Sequence, residues 1–361
     1  MKTCLFPTVI LFLLVAPALA NAAQSTLLDD TWSDGDRTDT ALPDESTWFA
    51  SNAATTPSLS VAPGLLTGDV RMFETNAGSR LWITHFTPAG APIELVEGDT
   101  LKISVFFRAF NVATNPATGR GFRVGLFNFG EPGAARVTAD GFSTGSGGGA
   151  PGANVTGYLL NQNFCERFSV NNPIQIMKRT DTPNVNLMGA SAVFTALGSG
   201  GGASDTPGFQ NDTPYRFEFS VKRSAGAAEI TCLFADNADW SIQHTATDPN
   251  FPTFQFDGLA IRPNSAADAA DSFQFSRVLV EHIPFQVRLL GIEYPTLLGA
   301  RISWSCLPGK TYTVEWSQTL SLEPEDWTPL TTVVAAGAVE FFDDGDAFFV
   351  SQGFYRVVQL P

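Results

Sequence analysis

Two alternating segments set planar polar groups beside aromatic rings. In Leu101 to Phe110, Leu101, Ile103, Val105, Phe107 and Ala109 share one face, and Phe106, Arg108 and Phe110 share the other. In Phe122 to Phe129, the positions Arg123, Phe127 and Phe129 fall on one face, and Tyr158, Asn161 and Asn163 follow shortly after. Rings offer apolar platforms, and guanidinium, amide and hydroxyl groups offer directed hydrogen bonds. That combination suits a ligand with apolar C–H faces and many hydroxyls. The binding surface expected from this pattern comprises Phe106, Arg108, Phe110, Arg123, Phe127, Tyr158 and Asn161. The competing arrangement packs Phe106, Phe110, Phe127 and Phe129 beneath long loops as a second small core. Trp32, Trp48 and Trp82 are further candidate platforms.

A second cluster is acidic. Asp29, Asp30, Asp34, Asp36 and Asp39 lie close together near the start of the chain. Calcium takes about six to eight oxygen ligands, several of them carboxylates, so Asp34, Asp36 and Asp39 are candidate ligands, although the spacing is not that of an EF-hand. Asp343-Asp344-Gly345-Asp346 reads instead as a hairpin turn. His85, His244 and His282 are isolated from one another. No H-x-H or H-E-x-x-H is present, and the G-x-S-x-G spacing at Gly141, Ser143 and Gly145 falls in an expected loop, not in a strand-to-helix elbow. Of four cysteines, Cys4 belongs to the N-terminal apolar segment. Cys165 and Cys232 either pair or, with Cys306, remain buried thiols in strands; no C-x-x-C occurs.

The elements that must position these groups are strands. Among 361 residues there are 30 Phe, 32 Gly and 23 Pro, with only 16% charged and a net charge of −15. That acidity excludes a protein that neutralises nucleic-acid phosphates, and the aromatic content excludes disorder. Tyr215 to Lys222 alternates with Tyr215, Phe217, Phe219 and Val221 on one side, and a turn at 224–227 leads into a partner strand, Glu229 to Phe234. Val155 to Leu160, Phe164 to Val170, Pro173 to Lys178, Phe254 to Arg262 and Ser272 to Glu281 read as further strands. Long loops are expected at 111–121, 130–154 and 198–213, the second carrying the glycine-rich run 145–149. Lys2, the apolar run Leu5 to Val15 and Ala18-Leu19-Ala20 have the form of a signal peptide over residues 1–23, which implies export. From Phe285 the strands shorten: Arg301 to Ser305, Thr311 to Ser317, Trp327 to Val334, Val339 to Phe342 and Gly353 to Val358. The boundaries expected are therefore 24–284 for a large domain and 285–361 for a small sandwich.

The segment 25–283 resembles the concanavalin A-like lectin/glucanase superfamily, a LamG-like jelly roll. The resemblance is carried by Asp30-Thr31-Trp32-Ser33-Asp34-Gly35-Asp36-Arg37, the turn Glu97-Gly98-Asp99-Thr100, the hairpin Tyr215 to Phe234, and the closing strands Phe256 to Ile261 and Phe273 to Val280. The tail resembles a fibronectin type III-like module of secreted bacterial proteins through Ile302-Ser303-Trp304, Tyr312 to Ser317, Trp327-Thr328-Pro329-Leu330 and Phe354 to Val357. The fold class implied is all-β: an antiparallel jelly-roll β-sandwich followed by a smaller Ig-like β-sandwich. The resemblance further implies carbohydrate binding, less often polysaccharide cleavage, and a structural calcium to which Asp271 or Glu281 of the last strand would contribute.

Hydrolases of that superfamily set carboxylates on one strand as E-x-D-x-x-E. The nearest match, Glu97-Gly98-Asp99, has Lys102 at the third position and falls in a turn. A lyase would need a Tyr or His base with an Arg or Lys, for example His85 with Tyr158 or Arg123. The expected function is therefore non-catalytic binding of a polysaccharide or other glycan by an exported protein. A lyase or hydrolase with an unrecognised site, and a structural or adhesive surface protein, are the alternatives.

Overall fold

The computed structural model describes residues 23–51, 59–61, 70–73, 80–116, 119–143, 151–188, 191–264, 267–293, 299–320, 323–349 and 353–360. The signal segment expected over 1–23 and the glycine run 145–149 fall outside the described residues, apart from residue 23. Contacts divide the chain into a unit Gln24–Ile283 and a unit that includes Pro284–Pro361.

Among the described residues the larger unit carries β1 (Ser25–Asp30), β2 (Trp48–Ala50), β3 (Leu59–Val61), β4 (Val70–Phe73), β5 (Trp82–His85) and β6 (Ile93–Glu94). It continues with β7 (Thr100–Val112), β8 (Phe122–Asn128), β9 (Thr156–Gln162), β10 (Ile174–Arg179), β11 (Phe194–Gly200) and β12 (Tyr215–Ser224). Then come β13 (Ala227–Asp236), β14 (Ser241–Asp248), β15 (Gln255–Phe256), β16 (Gly258–Pro263) and β17 (Ala270–Ile283). Two large antiparallel sheets result, with β6 and β15 forming a separate two-stranded sheet. One runs β14-β13-β12-β7-β17-β4-β3, with β1 also on β17; the other runs β11-β10-β9-β8-β16-β5-β2. The chain is thus an antiparallel β-sandwich, as its alternation requires.

The eight-stranded sheet obeys period two. Leu101, Ile103, Val105, Phe107 and Ala109 of β7, and Tyr215, Phe217, Phe219 and Val221 of β12, are buried in one core. Leu126, Tyr158, Leu160, Ile174, Ile176 and Leu259 meet them from the seven-stranded sheet. That second sheet is buried on both faces. Leu81, Ile83, Phe127, Leu159, Met177 and Ala260 lie on its outer side under Val137, Phe142, Leu187, Met188, Val193 and Phe194. Near-continuous burial in β8 and β9 follows, because loops roof the sheet. Arg179, 1% exposed, holds the roof by donating to the carbonyls of Gly152, Asn184, Asn186 and Leu187. These contacts pair the guanidinium with backbone carbonyls of the roof.

Several sequence expectations differ from this arrangement. Phe164 to Val170 is not a strand; it makes only an isolated bridge, Arg167 to Pro207. Phe254 to Arg262 breaks at Asp257, between β15 and β16. The expected loop from 198 begins later, since β11 extends to Gly200. The Cys165–Cys232 bridge is not formed: both are buried free thiols, as is Cys306. Cys232 points into the sandwich core from β13, whereas the Cys165 thiol donates to Asn163 Oδ1 and the Arg167 carbonyl at 3.3 and 2.9 Å.

The smaller unit carries β18 (Leu289–Glu293), β19 (Ala300–Ser305), β20 (Thr311–Ser317), β21 (Thr328–Val334), β22 (Val339–Asp344) and β23 (Phe354–Gln359). They form two three-stranded sheets, β18-β19-β22 and β21-β20-β23, around Ile302, Trp304, Tyr312, Val314 and Tyr355. Asp343 and Asp344 end β22 and precede a 3-10 turn, Gly345–Phe349, rather than forming a hairpin turn. Asp343 is paired with Arg301 at 2.7 Å, and Asp344 accepts from Tyr355 Oη at 2.6 Å.

Candidate binding cleft

The seven residues expected to form one surface lie in three places. Phe106, Arg108 and Phe110 are half-buried on the outer face of the eight-stranded sheet. There Arg108 donates to the Asp212 carbonyl and carboxylate at 2.7 and 3.0 Å, and Arg277 lies over the Phe106 ring. Arg123 and Asn161 sit on the outer side of the other sheet, hydrogen-bonded to each other at 3.2 Å, with Arg123 also on the Met188 carbonyl. Phe127 is fully buried beneath the roof. Tyr158 points the opposite way, into the sandwich, and donates to Asp248 Oδ2 at 3.1 Å. Burial and the nearby Asp248 carboxylate hold its phenol well above the usual tyrosine range. The one-surface expectation is therefore corrected: the sheets separate the two aromatic strands, and burial encloses Phe127 and Tyr158. Trp32, Trp48 and Trp82 are core residues rather than exposed platforms.

The expected calcium ligands do not converge either. Asp34 and Asp36 accept backbone amides of their own turn, and the hydrogen bonds from Arg37 and Thr38 lower the Asp36 carboxyl below its ordinary value. Asp39 is exposed. Asp271 accepts from Asn111 Nδ2 at 2.8 Å. It lies seven positions along β17 from Val278, the partner of Asp30, which is about 23 Å at the rise of a strand. Glu281 is engaged by Gln24 and Lys102. Among the described residues no three His, Cys, Asp or Glu gather where they would hold a metal ion; these residues do not fit calcium.

The feature that the structure does assemble is a cleft of about 430 Å³ at the β2–β5 edge of the seven-stranded sheet. Phe49 and His85 form its floor. One wall is the segment Thr40 to Thr47, a second is Thr87 to Ala89, and the third is Arg136 to Thr138. Hydroxyls of Thr40, Ser46, Thr47, Thr87 and Thr138 alternate around it with the apolar surfaces of Leu42, Phe49, Pro88 and Val137.

Its walls are held from behind. Asp30, 1% exposed, accepts from the Trp32 amide at 3.0 Å and Trp48 Nε1 at 3.0 Å, so it ties β1 to the first wall. Burial outweighs these donors and raises its carboxyl to about 6. Ser46 Oγ donates to the His85 carbonyl at 2.7 Å. Arg37 pairs with Asp140, which also accepts from the Ala50 amide at 2.9 Å. Asp257, fully buried in the break between β15 and β16, accepts from the Phe129 amide at 2.7 Å and from Arg136 Nε at 3.0 Å. Arg136 Nη2 donates to Thr87 Oγ1 at 3.1 Å, linking two walls.

His85 is the distinctive group. It is 8% exposed, and neither ring nitrogen makes a hydrogen bond of normal geometry, though the backbone of Val137 and Asp257 is nearby. Its ring meets Phe129 edge-on at 5.1 Å and lies 6.3 Å from Phe49. Gly258, its strand partner, makes this possible: a Cβ there would stand 2.5 Å from the Phe129 ring and 3.2 Å from His85 Nδ1. Burial, with Arg136 adding, pushes its pKa down to about 3. The imidazole is therefore neutral at physiological pH, presenting one donor and one acceptor.

Isolation in sequence gave no sign that His85 and Arg136 would meet; the loop that carries Arg136 folds back over the sheet. No Asp, Glu or Tyr lines the cleft among the described residues. Glu97 and Asp99 lie elsewhere, in a turn where Asp99 is hydrogen-bonded to His282 at 2.9 Å.

No protein-family model matches the sequence. No curated protein matches it by sequence. Solved structures do match, at low identity. Lectin I of Ulex europaeus, in complex with a fucose methyl glycoside, is 12% identical, with 73% of this chain and 99% of that one covered at a TM-score of 0.41. Peanut lectin is 9% identical over 67% of this chain and 100% of its own, TM-score 0.35. The exoplasmic/lumenal domain of VIP36, in a Ca2+/Man3GlcNAc-bound form, is 14% identical over 69% and 86%, TM-score 0.35. Likeness at these scores carries no argument about ligands, which must be read from the cleft.

Proposed function

We propose that the larger unit binds a carbohydrate in the cleft between the 40–47 and 136–138 walls, without cleaving it. The observation that carries this reading is His85: a neutral, nine-tenths buried imidazole at the floor of a cleft, with neither nitrogen in a hydrogen bond of normal geometry. A buried polar group without partners costs about 1–3 kcal/mol, and a sugar hydroxyl, which both donates and accepts, relieves that cost. Hydroxyls of Thr40, Thr47 and Thr138 at the rim supply further bonds, and Phe49, Leu42 and Pro88 supply surfaces for C–H faces. The missing carboxylate disfavours hydrolysis; His85 and Arg136 are the residue types that elimination uses, but burial makes the imidazole a weak base and Arg136 is paired with Asp257, which favours binding. Export is part of the proposal, supported by the n-region, apolar run and cleavage pattern of residues 1–23. The tail is proposed as an Ig-like accessory module on its strand spacing.

The test is retention on a panel of soluble and insoluble polysaccharides, with product analysis, using the mature wild-type chain and His85→Phe, which fills the same volume without polar nitrogens. Retention of the wild type, loss in the variant and unchanged glycan length are expected. A folded wild type that no polysaccharide retains, or a variant retained equally well, overturns the reading.

A further inference from the structure

A second depression adjoins the cleft. It has about 320 Å³ and shares Leu42, Thr87 and Pro88 with the first, so the two sites adjoin along a ridge of Leu42 and Pro88, with Thr87 buried between them. Beyond the ridge the surface is formed by Leu27, Pro43, Ala91, Pro92 and Ile93, with Thr26 the one further polar side chain. The two sites differ in character: the first is rich in hydroxyls and the second is a proline-lined apolar platform. Neither offers an unpaired charge to a charged ligand. The second has no ionisable residue, and in the first the single cation, Arg136, has its Nε on Asp257 and its Nη2 on Thr87. The chain as a whole carries a net charge of −15, a field that disfavours an anionic polymer at low salt.

Resting on the reading of the cleft as a sugar site, we infer that its ligand is a neutral glycan of at least two linked units. One unit is hydrogen-bonded over His85, and its neighbour lays a C–H face across Pro92 and Ile93 beyond the Leu42–Pro88 ridge. Polar recognition then resides in the first site, and the second adds affinity through apolar contact, so binding strengthens with chain length.

Titration calorimetry of the mature full-length chain tests this. The probes are cello-, xylo- and laminari-oligosaccharides, each from the monosaccharide upward, and oligogalacturonates of matched length. The expected result is binding of a neutral series with a gain of roughly tenfold (about 1.4 kcal/mol) on adding the second unit, no uronate binding, and little change between low and high salt. In Ala91→Glu, a substitution at an exposed position of the second depression, the gain with length should disappear. Length-independent binding, a gain that survives Ala91→Glu, or tighter, salt-sensitive binding of the uronates would overturn the inference and leave the carbohydrate reading standing. Binding of no saccharide overturns both.

Discussion

Removing the Arg136 guanidinium isolates a carboxylate that has nowhere else to turn. Asp257 is fully buried and, among the described residues, its carboxylate has two donors, the Phe129 amide at 2.7 Å and Arg136 Nε at 3.0 Å. Burial already raises its pKa, and those two donors oppose the rise. Arg136→Met keeps most of the stem volume but leaves the charge unpaired, which for buried pairs costs about 3–5 kcal/mol. It also loses the link to Thr87. At about 2–4 °C per kcal/mol for a large domain, the melting temperature should fall by roughly 6–20 °C at neutral pH. The sign with pH is defined: Asp257 has a raised folded pKa, and the substitution raises it further. The ionised form therefore destabilises above that value, and lowering the pH through it should return part of the loss. Adding Asp257→Asn should rescue the variant at neutral pH, because the amide oxygen still accepts from Phe129. The assay is urea unfolding at pH 7 and pH 5 for the wild type, both single variants and the double variant. Hydrogen exchange of the Phe129 amide isolates the larger unit from the tail. A loss under about 1 kcal/mol, equal at both pH values and without rescue, would show that the pair does not hold the cleft wall.

Two further outcomes follow from the same geometry. The Asp30 carboxyl, raised from 3.8 to about 6, should cost stability as it ionises. Its contribution is most favourable below about pH 4 and declines by roughly 3 kcal/mol up to about pH 6. Asp30→Asn should flatten that part of the wild-type stability–pH curve, and superimposable slopes would refute the assignment. Gly258→Ala should destabilise by about 1–3 kcal/mol, since its Cβ would meet the Phe129 ring at 2.5 Å. Thermal melting checks the loss, and weaker glycan retention should accompany it as His85 is displaced.

The parts legible in the sequence are those governed by local alternation. β7, β12 and β13 each bury one face against solvent on the other, so period two reveals the strand and its inward residues together. The same rule misleads in β8 and β9, whose outward positions are covered by a roof. Phe127 and Phe129 satisfy the alternation expected of a binding face, yet they are the base of a second core. Deciding between the two requires knowing where residues 129–142, 180–188 and 191–194 fold back, and that depends on Arg179 meeting four carbonyls and Asp257 meeting Arg136. Contacts so distant along the chain leave no periodic trace. The cleft is built by the same long-range closures. His85 is an ordinary strand residue by pattern, and becomes a site only because Gly258 lets Phe129 lie against it and the Arg136 loop stands over it. The roof that removed the expected aromatic platform is therefore also what created the cleft: the loops that bury Phe127 end in the wall that faces His85.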